Sequence, residues 1–487
     1  MARALRILMV SSEVESLART GGLGDVVEAL SRSLEASGGV EVVIVTPKYG
    51  VTRVPPGARW WPSPVVAPLG LGHARTLGVL EARLGPRGPR VCMLADSQLY
   101  DRDGIYGDAS GAFQDNAFRF ATLSSGALSV AERAWDGALP DVIHAHDWHA
   151  ALAVIYSRFG RGPAWARVPT IFTIHNLAFQ GVLGEGELDY LAIPRFAWQE
   201  GWIRHEGRLN LMKGAIEVAD RVTTVSERYA EEIQHPAHGF GLQTHLRWHS
   251  GKLLGIVNGI DTDAFDPRTD GAIARRYGEA DAPEGKLACK NALCWELGLD
   301  AGGPLFGNVS RLQWLKGIDM VLDIAPALVE RGARLVLVGK GEPDLEAGLR
   351  DVAARYPGRI AARVAFDPML ARRVYAGSDF IVVPSRDEPC GLAQLYAMRY
   401  GALPVVTPVG GLVDTVRPVS LAYASGEGIV AESVDPMALL LACEDAKAIY
   451  GDGIAWPAVM ARAMARDSSW GASAKKYVEM YEGLTSG

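Results

Sequence analysis

A chain of 487 residues is too long for a single core, so two or three domains are expected. Its hydrophobic share of 48% and charged share of 22% are those of an ordinary globular protein, and a net charge of −7 leaves no basic excess for a nucleic-acid partner. Five scattered cysteines make no disulfide framework and point to a reducing cytoplasm, and no apolar stretch approaches the length of a membrane span.

The chain opens on a basic segment and a short apolar run, 7–10, which continues into Ser11-Ser12-Glu13 as a first strand would. That run is too short for the core of a signal peptide. Short β-rich runs recur at 6–10, 42–46, 91–95, 142–146, 170–174 and 221–225. A second set follows at 305–309, 335–338, 363–366, 380–383 and 404–407, again separated by stretches long enough for a helix. Continuous apolar strands alternating with helices predict parallel sheets covered on both faces. Two such sets predict an α/β fold of two doubly wound domains, with ligand outside the carboxyl ends of the strands, in the cleft between domains. The break is expected at 256–267, where a strand end meets the Asn258-Gly259 turn and Pro267. A Gly- and charge-rich stretch, 269–285, then precedes a helix over 286–297. Cys289 and Cys294 lack the second pair that a zinc site would need and read as ordinary residues of that helix.

The chemistry sits in the loops that leave the strands. After the first strand, Arg19 precedes Gly21, Gly22 and Asp25, ahead of a helix over 26–34. Glycines of this kind let a backbone approach a phosphate, and a solvated turn is the plainer alternative. The stretch is neither a Walker A loop, which needs a closing Lys-Ser/Thr, nor a dinucleotide fingerprint. At 141–149, His144 and His146 share one strand face by period two, with Asp147, Trp148 and His149 at its end. His and Asp are good metal ligands, but side chains alternating along a buried strand rarely converge on one ion, and no HExxH helix accompanies them. A sugar-binding edge is the better reading, and no metal is expected. His175 and Asn176 end the next strand and offer donor and acceptor groups for hydroxyls or a reacting centre.

In the second set, Arg311 leaves a strand, and Lys316 stands at the opening of a helix over 317–328. Two cations beside a helix N-terminus make a diphosphate clamp. The stretch 381–401 then runs strand, acidic loop, glycine, helix. It is expected to deliver Glu388 beside N–H groups at Cys390 and Gly391, where the helix bearing Leu392, Leu395, Tyr396 and Arg399 opens, with Gly401 as its stop. A carboxylate next to an anion site suits a sugar with a phosphate leaving group. Val409-Gly410-Gly411 repeats the glycine-pair-then-helix arrangement, so one pair per domain would hold a phosphorylated ligand from both sides.

Together these residues resemble the ADP-glucose-using bacterial glycogen synthases and the plant starch synthases. The resemblance covers nearly the whole chain: Ser12-Glu13-Val14 with Thr20-Gly21-Gly22-Leu23, then 103–108, 115–120, 144–149 and His175-Asn176. It continues through 257–261, Ser310-Arg311-Leu312 with Lys316-Gly317, Pro384-Ser385-Arg386, 388–392, and Trp470, Ser473 and Tyr477. It implies the GT-B fold: two Rossmann-like domains, 1–258 and 259–468, facing across a cleft, and a C-terminal helix, 469–487, crossing back to the first. It implies a retaining, cytoplasmic glucosyltransferase that moves glucose from ADP-glucose to the non-reducing 4-hydroxyl of an α-1,4-glucan such as glycogen, with no cofactor.

In that resemblance Arg311 and Lys316 neutralise the diphosphate, and Glu388 holds the donor glucose near the reacting carbon. Asp147, Trp148, His175 and Asn176 line the sugar site, with Asn258 and Cys390 beside it, while Asp25 and Phe366 contact the nucleotide. Arg19, Gly21, Gly22, Gly391, Gly410 and Gly411 serve the phosphates. Three positions depart from the family pattern: Arg19 stands where Lys is usual, and Ala393 and Val409 stand where Thr is usual, which bears on donor affinity and nucleotide choice. Asp261-Thr262-Asp263 matches the metal–diphosphate Asp-x-Asp of another glycosyltransferase class, but its place after the Asn-Gly turn assigns it to a linker. Two other classes stay open on the residues alone: an isomerase of nucleotide sugars on the same fold, and a binding protein without activity.

Overall fold

The computed structural model describes residues 3–486 except Arg87, Ala109, Ala301 and Tyr423. The chain forms two compact units, one built from Met1–Val225, Ala230–Gly259 and Trp470–Gly487, the other from Ser226–Tyr229 and Ile260–Ser469.

The first unit is organised on a sheet of ten strands among the described residues. Leu5–Val10 lies at its centre, parallel to Val40–Pro47 on one side and Val142–His146 on the other, with Ile7 opposite both Val42 and Val142. Thr170–Ile174, Arg221–Thr224 and Leu253–Gly255 extend the parallel order outward. The central strands are buried apolar runs, as a sheet covered on both faces requires. Beyond Arg90–Ala95 the sheet turns antiparallel through Ala74–Arg83, Arg59–Trp60 and Val65–Pro68. Sequence reasoning does not find those three strands. Arg75, Glu81 and Arg83 interrupt the apolar pattern of Ala74–Arg83, and Val65–Pro68 buries only alternate residues.

The C-terminal helix, Gly471–Thr485, belongs to this unit. Trp470, Ala474, Tyr477 and Tyr481 recur at helical spacing and are buried in one cluster with Val26, Val27, Leu30 and Leu34 of the helix Gly22–Ala36. The Tyr481 hydroxyl also lies 2.8 Å from Nδ1 of His144.

The second unit is built on six parallel strands in the order Ile360–Val364, Arg334–Gly339, Leu305–Val309, Phe380–Val383, Leu403–Val406, Ile429–Val430. Apolar clusters cover both faces: Phe306, Leu335 and Val405 point into one, Leu305, Val336 and Val406 into the other. Several predicted bounds move. The strand expected at 363–366 ends at Val364, which leaves Phe366 beyond it. The helix expected over 26–34 begins at Gly22, so the glycine pair straddles its start. The helix expected over 317–328 is Ile318–Glu330, preceded by a single 3-10 turn, Trp314–Lys316. No helix among the described residues is long and apolar enough to cross a membrane.

Candidate active site

In the second unit, the pairing of Leu305–Val309 with Phe380–Val383 brings two strand-exit loops to one sheet edge. Gly317 sets their spacing. It adopts φ 66°, and a Cβ there would lie 1.9 Å from the carbonyl oxygen of Pro384. Only glycine allows that approach. The turn before it therefore carries Lys316 against Glu388, with Nζ 2.7 Å from Oε1 and 2.8 Å from Oε2. Ser385 Oγ donates to Oε2 at 2.7 Å, and the carbonyl of Ser385 is fixed in turn by Thr407 Oγ1 at 2.6 Å. Both charges are largely shielded, with side-chain exposures of 18% and 12%. Arg311, from the same strand end as Lys316, is exposed, and so is the ring of Phe366, at 76%.

Two expectations for this loop are corrected. The helix opens at Ala393 rather than at Cys390, because Gly391 turns left-handed at φ 74° and Leu392 is the N-cap. The carbonyls of Cys390 and Gly391 instead accept from Nε2 of the buried Gln394. The Gly410-Gly411 pair is not an open amide cradle either. Gly411 gives its N–H to the carbonyl oxygen of Glu388 at 3.0 Å, and a Cβ on it would come within 2.3 Å of the Cys390 carbonyl. Gly411 is a packing glycine that lets Val409–Thr415 press against the Glu388 loop.

In the first unit, the loop 11–21 is folded around a carboxylate that sequence reasoning left without a role. Glu13 is buried and accepts the N–H of Thr20 at 2.6 Å and of Gly21 at 3.1 Å. The hydroxyls of Thr20 and Tyr106 donate to its other oxygen at 3.0 Å and 2.5 Å. The N–H of Gly21 is thus taken up inside the protein, which corrects the expectation that it awaits a phosphate. Arg19 pairs with both Asp25 and Glu15. A carboxylate three residues beyond the end of a buried strand is the signal that could have drawn attention to Glu13.

Tyr106 also stacks on His149, with ring centroids 4.6 Å apart, and so joins this loop to the 144–149 stretch. There, period two holds: the rings of His144 and His146 stack at 4.2 Å. Their tasks differ. His144 is a staple between Tyr481 and Thr173, whose Oγ1 is 2.6 Å from its Nε2. His146 Nδ1 lies 2.9 Å from Nε2 of His175 and so orients that ring. Asp147 adopts φ 56° at the strand-to-helix corner and accepts the N–H of His175 at 2.7 Å. Burial pushes its carboxyl up to about 7, against the lowering effect of the N–H groups of His175 and Asn176. Burial likewise pushes His144, His149 and His175 down to about 3, so these imidazoles are neutral in ordinary buffers. Gly181, at φ 65°, holds the Trp148 indole against the backbone, where a Cβ would lie 2.5 Å from the ring.

Asn176 spends its Oδ1 on the N–H of Ala178 at 2.9 Å, leaving its amide nitrogen for other contacts. Asn258 is 5% exposed, and its Oδ1 has no partner among the described residues. Asp261 caps its own turn, accepting from the N–H groups of Asp263 and Ala264, as the linker reading expects. Two groupings result: Lys316, Glu388, Ser385 and Gly411 in one unit, and Asp147, His146 and His175 in the other.

Residues 6–248 match the starch synthase catalytic domain family, and residues 303–446 match the glycosyl transferases group 1 family. The chain is 42% identical to a glycogen synthase of Myxococcus xanthus and 41% identical to one of Anaeromyxobacter, in each case over 99% of both chains. Among solved structures it is similar to the catalytic domain of starch synthase IV from Arabidopsis thaliana bound to ADP and acarbose. That match has a TM-score of 0.91 at 29% identity and covers 100% of both chains. A sucrose-phosphate synthase from Thermosynechococcus elongatus shares the fold, with a TM-score of 0.61 at 19% identity and 99% of both chains covered. With parallel sheets in two units and relatives of this closeness along its whole length, the chain belongs to the glycogen and starch synthase family, glycosyltransferases of the GT-B fold class.

Proposed function

We propose that the chain moves glucose from ADP-glucose to the non-reducing 4-hydroxyl of an α-1,4-glucan, with retention at the anomeric carbon. The observation that carries this reading is the two-pronged contact of Lys316 with Glu388 at the exit of two neighbouring strands. It supplies a cation for a leaving diphosphate and an anion for the sugar it leaves. The Arabidopsis relative bound to ADP and acarbose supports an adenine nucleotide and a saccharide as ligands. Five buried thiols support a reducing cytoplasm.

An incoming diphosphate competes with Glu388 for the Lys316 ammonium and meets Arg311 on the same strand end. The bond from the anomeric carbon to the phosphate oxygen then breaks, and its electron pair leaves on ADP, where the two cations offset the growing charge. Glu388, still held by Ser385, stabilises the oxocarbenium-like carbon. The acceptor's 4-oxygen bonds to that carbon, and its proton departs with ADP. In the first unit, Asp147, Trp148, Asn176 and the neutral His175 are the groups that would contact a sugar. Nε2 of His175 is occupied by His146, so its contact to substrate falls to Nδ1. The exposed Phe366 ring offers a face for the base, and Asn258 and Cys390 border the sugar. Arg19, Asp25 and Gly22 serve the phosphates if Arg19 exchanges Asp25 for the ligand.

Incubation with ADP-glucose and glycogen should release ADP and lengthen the glucan chains, and UDP-glucose run in parallel reads the donor preference. A changed sugar nucleotide formed without glucan would identify an isomerase instead, and absence of ADP release would leave a binding protein.

A further inference from the structure

Well apart in sequence from the residues above, three ligand-type side chains of the first unit converge. Glu217 lies in the last turn of the helix Leu211–Val218; His245 lies in the helix Gln243–Trp248, and His249 caps that helix. The i,i+4 spacing puts both imidazoles on one face, their ring centroids 4.6 Å apart. Glu217 Oε2 is 3.0 Å from Nε2 of His249 and 3.7 Å from Nε2 of His245, and the three donor atoms lie within 4.8 Å of one another.

We propose that Glu217, His245 and His249 form a binding site for a divalent first-row metal ion, zinc foremost. The site would clamp the end of the helix Leu211–Val218 to the segment 243–249. Ligands on a tetrahedral zinc with bonds of about 2.0–2.1 Å stand about 3.3 Å apart, a spacing that the two Glu–His distances bracket. Two imidazoles and one carboxylate are a donor set that zinc takes readily, with a fourth position left for water. The expectation of no metal rested on the 141–149 strand, on Cys289 and Cys294 and on Asp261 and Asp263, and this set involves none of them.

Nε2 of His245 stands 3.3 Å from the carbonyl of Lys213, a long contact given up when the ring proton moves to Nδ1. The two nearby ammonium groups are turned to carbonyls: Lys213 to those of Gly201 and Trp202, Lys252 to those of Glu217 and Ala219. The clamp would complete an attachment made at the helix's other end. There Asn210 donates to Gln180 Oε1, and Gln180 donates to the carbonyl of Phe240, just ahead of the same segment.

The full chain, freed of metal by chelation, tests this by titration with Zn²⁺ and separately with Co²⁺. One ion per chain, a melting temperature that rises with Zn²⁺, and Co²⁺ absorption in the visible without a thiolate charge-transfer band are expected. The variants His245→Gln and His249→Gln should each weaken Zn²⁺ binding by at least about tenfold. They should leave the circular dichroism spectrum and turnover on glycogen unchanged. A melting temperature indifferent to Zn²⁺, or binding that persists undiminished in the double variant, would overturn the proposal.

Discussion

Lys316 Nζ sits between the two carboxylate oxygens of Glu388, at 2.7 Å and 2.8 Å, so the cation and the anion assigned to opposite ends of the breaking bond neutralise each other before substrate arrives. If the diphosphate takes over Lys316 in the transition state, Lys316→Ala should lower kcat on the order of 10²–10³-fold, the effect of losing one preorganised donor to a developing anion. The glucan KM should change far less. Steady-state kinetics with unchanged kcat and only a raised glucan KM would refute the role.

The same pairing makes Glu388 a competitor of the ligand. Glu388→Gln keeps the side-chain shape and an oxygen for Ser385 but releases Lys316. Turnover should fall steeply, while ADP binds at least about two- to fivefold more tightly, the ~0.5–1 kcal/mol of an exposed ion pair being the lower bound for this shielded one. Calorimetric titration with ADP reads this directly, and weaker binding in the variant would count against the competition.

Gly317 is the backbone reason for that geometry. Gly317→Ala forces a side chain into φ 66° and against the Pro384 carbonyl, 1.9 Å away, and should cost about 2–4 kcal/mol of stability as well as activity. Gly483→Ala, in the C-terminal helix with nothing near its Cβ, should instead stabilise by about 0.5–1 kcal/mol. Denaturant midpoints of the pair give the comparison, and two variants of equal stability would contradict the steric account.

What the sequence showed of this arrangement follows from local rules. Apolar runs such as 7–10 and 380–383 are strands because nothing interrupts them, and the loops that leave them could be picked out by their charges. Long-range hydrogen bonding was not legible. Nothing local to Glu13 says that it will take the N–H of Gly21, and nothing local to Gly411 says that its N–H goes to Glu388. Likewise, His144 and His146 share a face by periodicity, yet only the C-terminal helix, 337 residues further along, makes one of them a staple.

That staple can be weighed. Tyr481 is fully buried and bonded to His144, so Tyr481→Phe should cost about 1 kcal/mol for the hydrogen bond. Tyr481→Ala should cost about 3–5 kcal/mol through the cavity it opens. Equal effects of the two substitutions, read from denaturant unfolding, would mean that the ring contributes nothing beyond its hydroxyl.

The neutral histidines of the first unit predict how the protein meets acid. His144, His149, His175 and His245 are pushed down to about 3 by burial, and His146 well below its ordinary value. An unfolded imidazole takes its proton near pH 6.5. Between about 6.5 and 3, therefore, the unfolded chain binds up to about five protons that the folded chain refuses. Stability is full above pH 6.5 and declines as pH falls, by up to about 1.4 kcal/mol per pH unit for each ring. Asp147, pushed up to about 7, works in the opposite sense: the folded state keeps a proton between pH 4 and 7 that the unfolded carboxyl has lost, which offsets about one histidine over that range. The net expectation is a loss of about four protons' worth of slope. Denaturant midpoints should hold steady from pH 8 to 7 and drop sharply between pH 6.5 and 5, with His144→Gln and His149→Gln each flattening the drop. A stability that stays level down to pH 5 would mean that these rings find protons, or water, in the folded chain.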